Sequence, residues 1–297
     1  MALTVVTLTK DNPEELRVTL ASVRSQTCKP ARHMVIDSSR HIEAARAMSI
    51  CEEFGAEYIW TQPEGIYQAM DFSLSLLAES DYVLWLNSSD RLAGKRVLCE
   101  VNQAVKEFVP NQGPSWIVCG LLKARGAEFR VQNLPSTGNE LVERLSKGTI
   151  GFPHPSTIFL CSAVVSVGGY VTGTFFRVAN DYDLALRMSS RFGAPLISRR
   201  PLSIHELNGH SSRHPARGFV EKIVSRLRRL GMNRKLQTAV LIPWLLLKAV
   251  FRRITHDAAN RVSPDKLFSS PDDHFCDFSR PEAWPECCRY SLEVAPD

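Results

Sequence analysis

The sequence predicts an α/β fold, a mostly parallel sheet with helices on both faces, followed by basic helices toward the C-terminus. Three observations predict it. Short apolar runs each stop abruptly at small polar residues or a carboxylate. Segments with apolar residues at helical spacing stand between those runs. The connections are short, which in a strand-helix alternation makes successive strands parallel through helical crossovers.

Residues 3–9 (LTVVTLT) read as a buried first strand. Asp11-Asn12-Pro13-Glu14-Glu15 then opens a helix with a polar cap, proline at the first helical position and acids in the first turn. Leu16, Leu20 and Val23 repeat on one face of it. Residues 33–37 form the second strand, ending in Asp37-Ser38-Ser39, and 42–54 the second helix. Residues 57–60 are a short third strand, followed by a loop through Pro63-Glu64-Gly65 and a helix over 66–79. Residues 82–86 are the fourth strand, five apolar residues that end at Asn87-Ser88-Ser89-Asp90. A helix is expected over 94–108, strands over 115–121 and 127–132, a helix over 138–147 and a strand over 156–160. Gly168-Gly169-Tyr170 marks a turn, NDYDLALRM opens a helix over 180–191, and 195–200 reads as a further strand.

The first strand-to-helix turn, TLTKDNPEEL, contains no glycine. Neither the dinucleotide fingerprint nor a phosphate-binding loop is present, which argues against a dehydrogenase or a P-loop NTPase. A nucleotidyltransferase would show a Gly- and Arg-rich loop there. With 297 residues, 44% hydrophobic and 23% charged, the composition is ordinary for a globular protein of one large or two modest domains. No apolar run reaches the roughly eighteen residues of a membrane span, and no basic stretch precedes the first apolar segment, so neither a span nor a cleaved signal peptide is expected.

Eight cysteines are scattered without a CxxC pair. Five of them read as small hydrophobes, which suggests a reducing compartment, and the last three, Cys276, Cys287 and Cys288, form with His274 a zinc alternative of unusual spacing. The expected location is cytoplasmic, extending to the inner face of the membrane.

Charge divides the chain into three parts. Residues 213–253 hold eleven Lys or Arg and one acid, a net +10, while residues 263–297 hold eight acids and three bases, a net −5. Residues 1–212 are neutral. The expected division is a catalytic domain over 1–212, a basic helical segment over 213–262 and an acidic, Pro-rich tail over 263–297. The basic segment reads as two amphipathic helices, the second carrying LIPWLLLKAVFRR with a start or kink at Pro243. Two uses fit it: anchoring on an anionic membrane surface, or packing on the catalytic domain with the tail as counter-charge. No motif supports nucleic-acid binding.

Four segments in order resemble one family: TLTKDNPEELRVTLASVRSQT, VIDSSR, GIYQAMDFSLSLLAESDYVLWLNSSD, and HPSTIFL followed by ANDYDLALRM. Over about residues 3–212 the chain resembles family 2 glycosyltransferases of the GT-A fold, especially bacterial enzymes of surface polysaccharide assembly. The resemblance implies an inverting transfer from a nucleotide-diphosphate sugar to a glycan or lipid-linked acceptor, with Mg²⁺ or Mn²⁺ as cofactor.

It also implies roles residue by residue. Thr7 and Thr9 would line the nucleotide pocket, and Asp37 would contact base or ribose, unless it only forms the Asp-Ser-Ser turn. Asp90 would hold the metal, with Asn87, Ser88 and Ser89 beside the donor. Many relatives carry Asp-x-Asp there, so one carboxylate stands where two are common, a count Mg²⁺ accepts when phosphates complete its shell. Glu64 would replace an Asp that relatives place shortly before the glycine. Asp181 would be the general base and Asp183 its supporting acid, the alternative being acids placed for the helix dipole. His154 would touch donor phosphate or acceptor, or be a buried structural histidine; His205 and His210 could approach the diphosphate. A non-catalytic module that binds a nucleotide sugar or a partner enzyme is the competing function.

Overall fold

The structure, a computed structural model, describes residues 2–108, 114–125, 128–132, 134–150, 152–173, 175–207 and 214–231. Nine strands form one mixed sheet among them. Strands β1 (Leu3–Thr9), β2 (Arg32–Asp37), β3 (Glu57–Trp60) and β4 (Tyr82–Asn87) pair in parallel in the order β3-β2-β1-β4. Helices α1 (Pro13–Arg24), α2 (His41–Phe54) and α3 (Ile66–Leu74) make the crossovers. This half follows the expected βα series. One difference is that α3 stops at Leu74, at the Ser75-Leu76-Leu77 turn, instead of running to 79.

The second half is antiparallel where it joins the first. After β5 (Arg91–Leu92) come α4 (Val97–Phe108), β6 (Trp116–Arg125), β7 (Glu128–Gln132) and α5 (Gly138–Lys147). Then follow β8 (Thr157–Leu160), the short α6 (Cys161–Ser166), α7 (Asn180–Phe192), β9 (Leu196–Glu206) and α8 (Pro215–Arg229). Strand β8 lies antiparallel to both β4 and β6, and β9 runs parallel to β6. Two reversals restore direction, so β9 points the same way as β1 to β4. Strand β9 reaches Glu206, six residues past the expected end, and crosses a bulge that places Pro201 opposite Gly120.

Strand residues alternate between two cores. Val6, Leu8, Met34, Ile36, Val83 and Trp85 face α3, α6 and α7, while Leu3, Val5, Leu84 and Leu86 pack with Val23 of α1 and Val97, Leu98 and Val101 of α4. Burial on both faces explains why these strands read as continuous apolar runs and not as alternating ones.

The cysteine expectation is corrected at one pair. Cys28, just after α1, and Cys99, in the first turn of α4, have Cα atoms 5.0 Å apart and form a disulfide. Contacts around them bring the segments together: the Gln26 amide donates to the Gly94 carbonyl at 2.7 Å, and Thr27 N–H bonds the Lys95 carbonyl at 2.9 Å. A separation of 71 residues hides this pairing from the sequence. Cys51, Cys119 and Cys161 are free and buried, as expected, and burial pushes each thiol up to about 12. Replacing Cys28 and Cys99 together by Ser is expected to cost about 2–4 kcal/mol in denaturant unfolding. A thiol reductant should lower wild-type stability and leave the double variant unchanged.

The basic segment is partly resolved into a role. Helix α8 packs on α7 and α5, so the packed body continues past residue 212. Arg226 is buried and donates to the Ser146 carbonyl at 3.0 Å, in the last turn of α5. Arg229 pairs with Asp183 at 3.0 Å, and Arg228 sits over the Phe175 and Phe176 rings. Over α8, then, the basic side chains serve packing, the second of the two expected uses. The helix expected around Pro243, the acidic tail, His210 and the cluster of His274, Cys276, Cys287 and Cys288 lie outside the described residues. Among the described residues no helix is long and apolar enough to cross a membrane.

Candidate active site

The carboxyl ends of β1, β2, β3, β4 and β9 lie along one edge of the sheet. In open α/β sheets this edge is where ligands bind. Asn87-Ser88-Ser89-Asp90 turns there, and the turn is fixed by α1. The Thr19 hydroxyl donates to the Asp90 carbonyl at 2.7 Å, and Ser89 N–H bonds the Glu15 carbonyl at 3.3 Å. Ser89 takes φ +85°, a left-handed conformation that favours glycine, so the turn is held strained by its surroundings.

Strand β5 decides what meets Asp90. The sequence reading passed from Asp90 almost directly to a helix, but Arg91 and Leu92 pair with β9, Arg91 opposite Ile204. That register sets Asp90 beside His205. The His205 Nδ1 lies 2.8 Å from Asp90 Oδ1, and Glu206 N–H reaches the same oxygen at 3.4 Å. The negative charge of Asp90 raises the His205 pKa above its ordinary value, with burial opposing and the hydrogen bond adding. Asp90 is 1% exposed. Asn87 Nδ2 donates to Asp90 Oδ2 at 3.4 Å, and its buried Oδ1 has no partner among the described residues. The neighbouring Arg91 and Glu206 pair with each other at 2.5 Å.

This donor set fits a divalent ion. It offers one carboxylate, one imidazole and an unpartnered amide oxygen, and phosphate oxygens of a substrate would complete the shell. Among the described residues no group of three or more His, Cys, Asp or Glu gathers as a metal site, here or elsewhere, so substrate oxygens would have to supply the rest of the shell.

Asp181 stands in the first turn of α7, next to the start of α3. Its Oδ1 accepts from Tyr182 N–H at 2.8 Å and from the Tyr67 hydroxyl at 3.4 Å, and Oδ2 accepts no bond among the described residues. Gly65 begins α3 with φ +138°, where a Cβ would come within 2.6 Å of Gln68 Oε1. Burial pushes the Asp181 pKa up, and the charge of Lys222 and the two hydrogen bonds only partly offset it. Lys222 Nζ lies over the Tyr182 ring, 5.7 Å from its centroid.

The other expected site residues divide. Thr9 is buried with its hydroxyl unpartnered, at the end of β1. Ser88 is half-buried and its N–H bonds the Leu8 carbonyl at 2.8 Å. Glu64 is exposed in the loop before α3.

At four further expected positions the polar atoms are bonded within the fold. Thr7 is buried under the sheet, its hydroxyl 3.0 Å from His33 Nε2, because the β1–β2 register turns it toward α1 and α2. Asp37 is fully buried; Oδ1 accepts from the Ser39 N–H and hydroxyl at 2.8 and 2.5 Å, and Oδ2 from the Tyr58 hydroxyl at 2.8 Å. Its bonds to Ser39 are those of the turn-forming alternative. Asp183 is also fully buried, with Arg187 at 2.8 Å and Arg229 at 3.0 Å, so it anchors α8 on α7. His154 is buried in the short 3-10 turn before β8, its Nε2 2.6 Å from the Tyr170 hydroxyl and its ring stacked on Trp85. These contacts are those of a buried structural histidine, one of the two alternatives.

Burial lowers the His154 pKa to about 3 and the His33 pKa to about 4. Both rings stay neutral in the fold, while an unfolded chain takes up protons below about pH 6.5. Stability is therefore expected to fall as pH drops from 6.5 toward 4, by up to about 1.4 kcal/mol per pH unit for each histidine. Denaturant unfolding at pH 7 and pH 5 checks this, with His154→Phe giving the flatter dependence.

No protein-family model matches the sequence, and no curated protein matches it by sequence. Solved structures do match. The mannosyltransferase PcManGT of Pyrobaculum calidifontis, in complex with GDP-Man and Mn²⁺, has a TM-score of 0.60 at 14% identity, over 90% of this chain and 78% of that one. S. aureus TarS has a TM-score of 0.57 at 12% identity, over 87% of this chain and 44% of that one. The chain thus spans under half of TarS. Glucosyl-3-phosphoglycerate synthase of Mycobacterium tuberculosis has a TM-score of 0.52 at 14% identity, over 78% of this chain and 81% of that one.

The chain has the GT-A fold. In this GT-A chain, sequence reasoning missed Thr19, which bonds the Asp90 carbonyl, Tyr67, which bonds Asp181, and Glu221, which accepts from the N–H groups of residues 177–179 just before α7. Thr19 and Tyr67 sit on helices with no local signature. Glu221 did carry a signal, as the one acid in the basic stretch 213–253.

Proposed function

We propose that this protein is a metal-dependent, inverting glycosyltransferase. It moves a sugar from a nucleotide-diphosphate donor to a hydroxyl of a glycan or lipid-linked acceptor in polysaccharide biosynthesis. The observation that carries this is the meeting of Asp90 and His205 at the ends of β4 and β9, beside the unpartnered Asn87 oxygen. Asp181, with one oxygen unbonded, supports it from the same edge. Structures of like fold add support: PcManGT is bound to GDP-Man and Mn²⁺, and TarS 1–349 to UDP-GlcNAc. A lipid-linked acceptor at an anionic membrane surface suits the five Lys and Arg of residues 230–253, which follow α8 with no acid among them.

The chemistry follows from these residues. Asp90 and His205 would hold Mg²⁺ or Mn²⁺, which when bound stabilises negative charge on the departing diphosphate. Asp181 accepts the proton of the acceptor hydroxyl as its oxygen attacks the anomeric carbon. The bond from that carbon to the phosphate oxygen breaks on the opposite face, and the nucleoside diphosphate leaves. A carboxylate with a raised pKa accepts that proton more readily than an ordinary one.

A thermal-shift screen of UDP-, GDP- and dTDP-sugars with and without Mn²⁺ tests the proposal, followed by nucleotide release with an acceptor panel. A metal-enhanced shift with one nucleotide, followed by turnover, is expected. Binding without turnover across the panel would make this a nucleotide-sugar-binding module instead.

A further inference from the structure

Helix α8 carries one acid, Glu221, and it is 1% exposed. Its Oε1 accepts from Arg177 N–H at 3.0 Å, and its Oε2 from Val178 N–H at 2.8 Å and Ala179 N–H at 2.7 Å. Arg217 Nε donates to Oε1 at 2.9 Å. Three consecutive amides aimed at one carboxylate form an anion nest, and the positive end of a helix lies just beyond it. Burial pushes the Glu221 pKa up, but these bonds outweigh it and hold the carboxyl below its ordinary value.

The amides belong to the three residues immediately before α7, whose second residue is Asp181. The same stretch is held from two other sides. Tyr67 donates to the Val178 carbonyl at 3.0 Å, and Asn180 exchanges two bonds with the Val171 main chain, at 3.1 and 2.7 Å. Helix α8 also comes so close that a Cβ at Gly218 would lie 3.0 Å from Val178 Cγ1. The segment has no room to relax toward α8, and Tyr67 bonds both its backbone and Asp181.

We propose that Glu221 is a positioning residue for Asp181: from α8 it fixes the backbone of residues 177–179, and through it the direction in which Asp181 presents its free oxygen to the acceptor. This rests on Asp181 being the base. The part of the basic segment seen in the structure thereby becomes a component of the active site and not an appendage to it. Glu221 touches no reacting atom. A displacement of about 1 Å at the base is enough to cost about 100-fold in rate.

The test uses the full chain and the variants Glu221→Gln and Glu221→Ala. Glu221→Gln keeps the size and loses the charge, which guards against simple unfolding. Hydrogen exchange over residues 175–185 is expected to quicken about tenfold or more in both variants, because Gln keeps one acceptor oxygen and turns an NH2 donor toward the amides, while Ala keeps no acceptor. The kcat of Glu221→Gln should fall about 10- to 100-fold with donor KM changed less than about twofold. In an Asp181→Asn background, Glu221→Gln should change the residual rate less than about twofold, since the two act as one unit. Unchanged exchange overturns the brace. An equal loss of rate in both backgrounds overturns its action through Asp181. A wild type that turns over no donor overturns the functional reading by itself, and exchange then still decides whether Glu221 holds the segment.

Discussion

Asp181→Asn is expected to lower kcat by about 10²–10⁴-fold, the range that a positioned general base supplies. The substitution is nearly isosteric. Oδ1 can still accept from the Tyr182 N–H and the Tyr67 hydroxyl, so the start of α7 should keep its place and stability should change little. Donor affinity should also hold, because the donor's diphosphate would be held by Asp90 and His205 and not by Asp181. Loss of kcat at constant donor KM is the pattern of an interaction made in the transition state. The wild-type pH–rate profile should show an acid limb above the ordinary carboxylate range. Burial raises the Asp181 pKa, and protonation below that pKa removes the base. Full activity in Asp181→Asn would refute the assignment and move the search for a base elsewhere on the same edge.

Asp90→Asn is expected to abolish metal-stimulated activity, with a loss of about 10²–10³-fold in kcat/KM for the several kcal/mol that a metal contributes to a departing diphosphate. The variant should still fold. The strongest bond to this residue from α1 goes from Thr19 to its main-chain carbonyl, which the substitution does not touch. His205 loses its charged partner but keeps a hydrogen-bonding neighbour. Chelation should reduce wild-type nucleotide release to the level of Asp90→Asn, and added Mn²⁺ should restore the wild type only. If Asp90→Asn responds to Mn²⁺ as the wild type does, Asp90 is not the metal ligand.

The residues that give these predictions were not equally legible. Asp90 and Asp181 stood out because each follows a pattern set by neighbours in sequence: an apolar strand that ends in a polar turn, and a helix start with acids. The βα series from residue 3 to residue 87 was legible for the same reason, since each strand buries both faces and each helix shows its spacing locally. Asp37, Asp183 and His154 also looked like site residues. Their chemical types fit, but what meets them comes from distant elements. Tyr58 and Ser39 close on Asp37, Arg229 reaches Asp183 from α8, and Tyr170 meets His154 across the core. No local pattern shows which partners the fold brings to a buried carboxylate or imidazole.

The sequence by itself determined the alternation of strands and helices, the end of β4 at a carboxylate and the acids that open α7, because these depend on burial and hydrogen bonding within a few residues along the chain. Only the tertiary structure decided the partners. The pairing of β5 with β9 puts His205 against Asp90, the contact of α1 with α4 joins Cys28 to Cys99, and the packing of α8 brings Glu221 under the residues before Asp181. Those contacts link residues 71 to 115 or 42 to 44 positions apart. Their geometry is set by sheet register and helix packing across the whole body, which spacing along the chain does not encode.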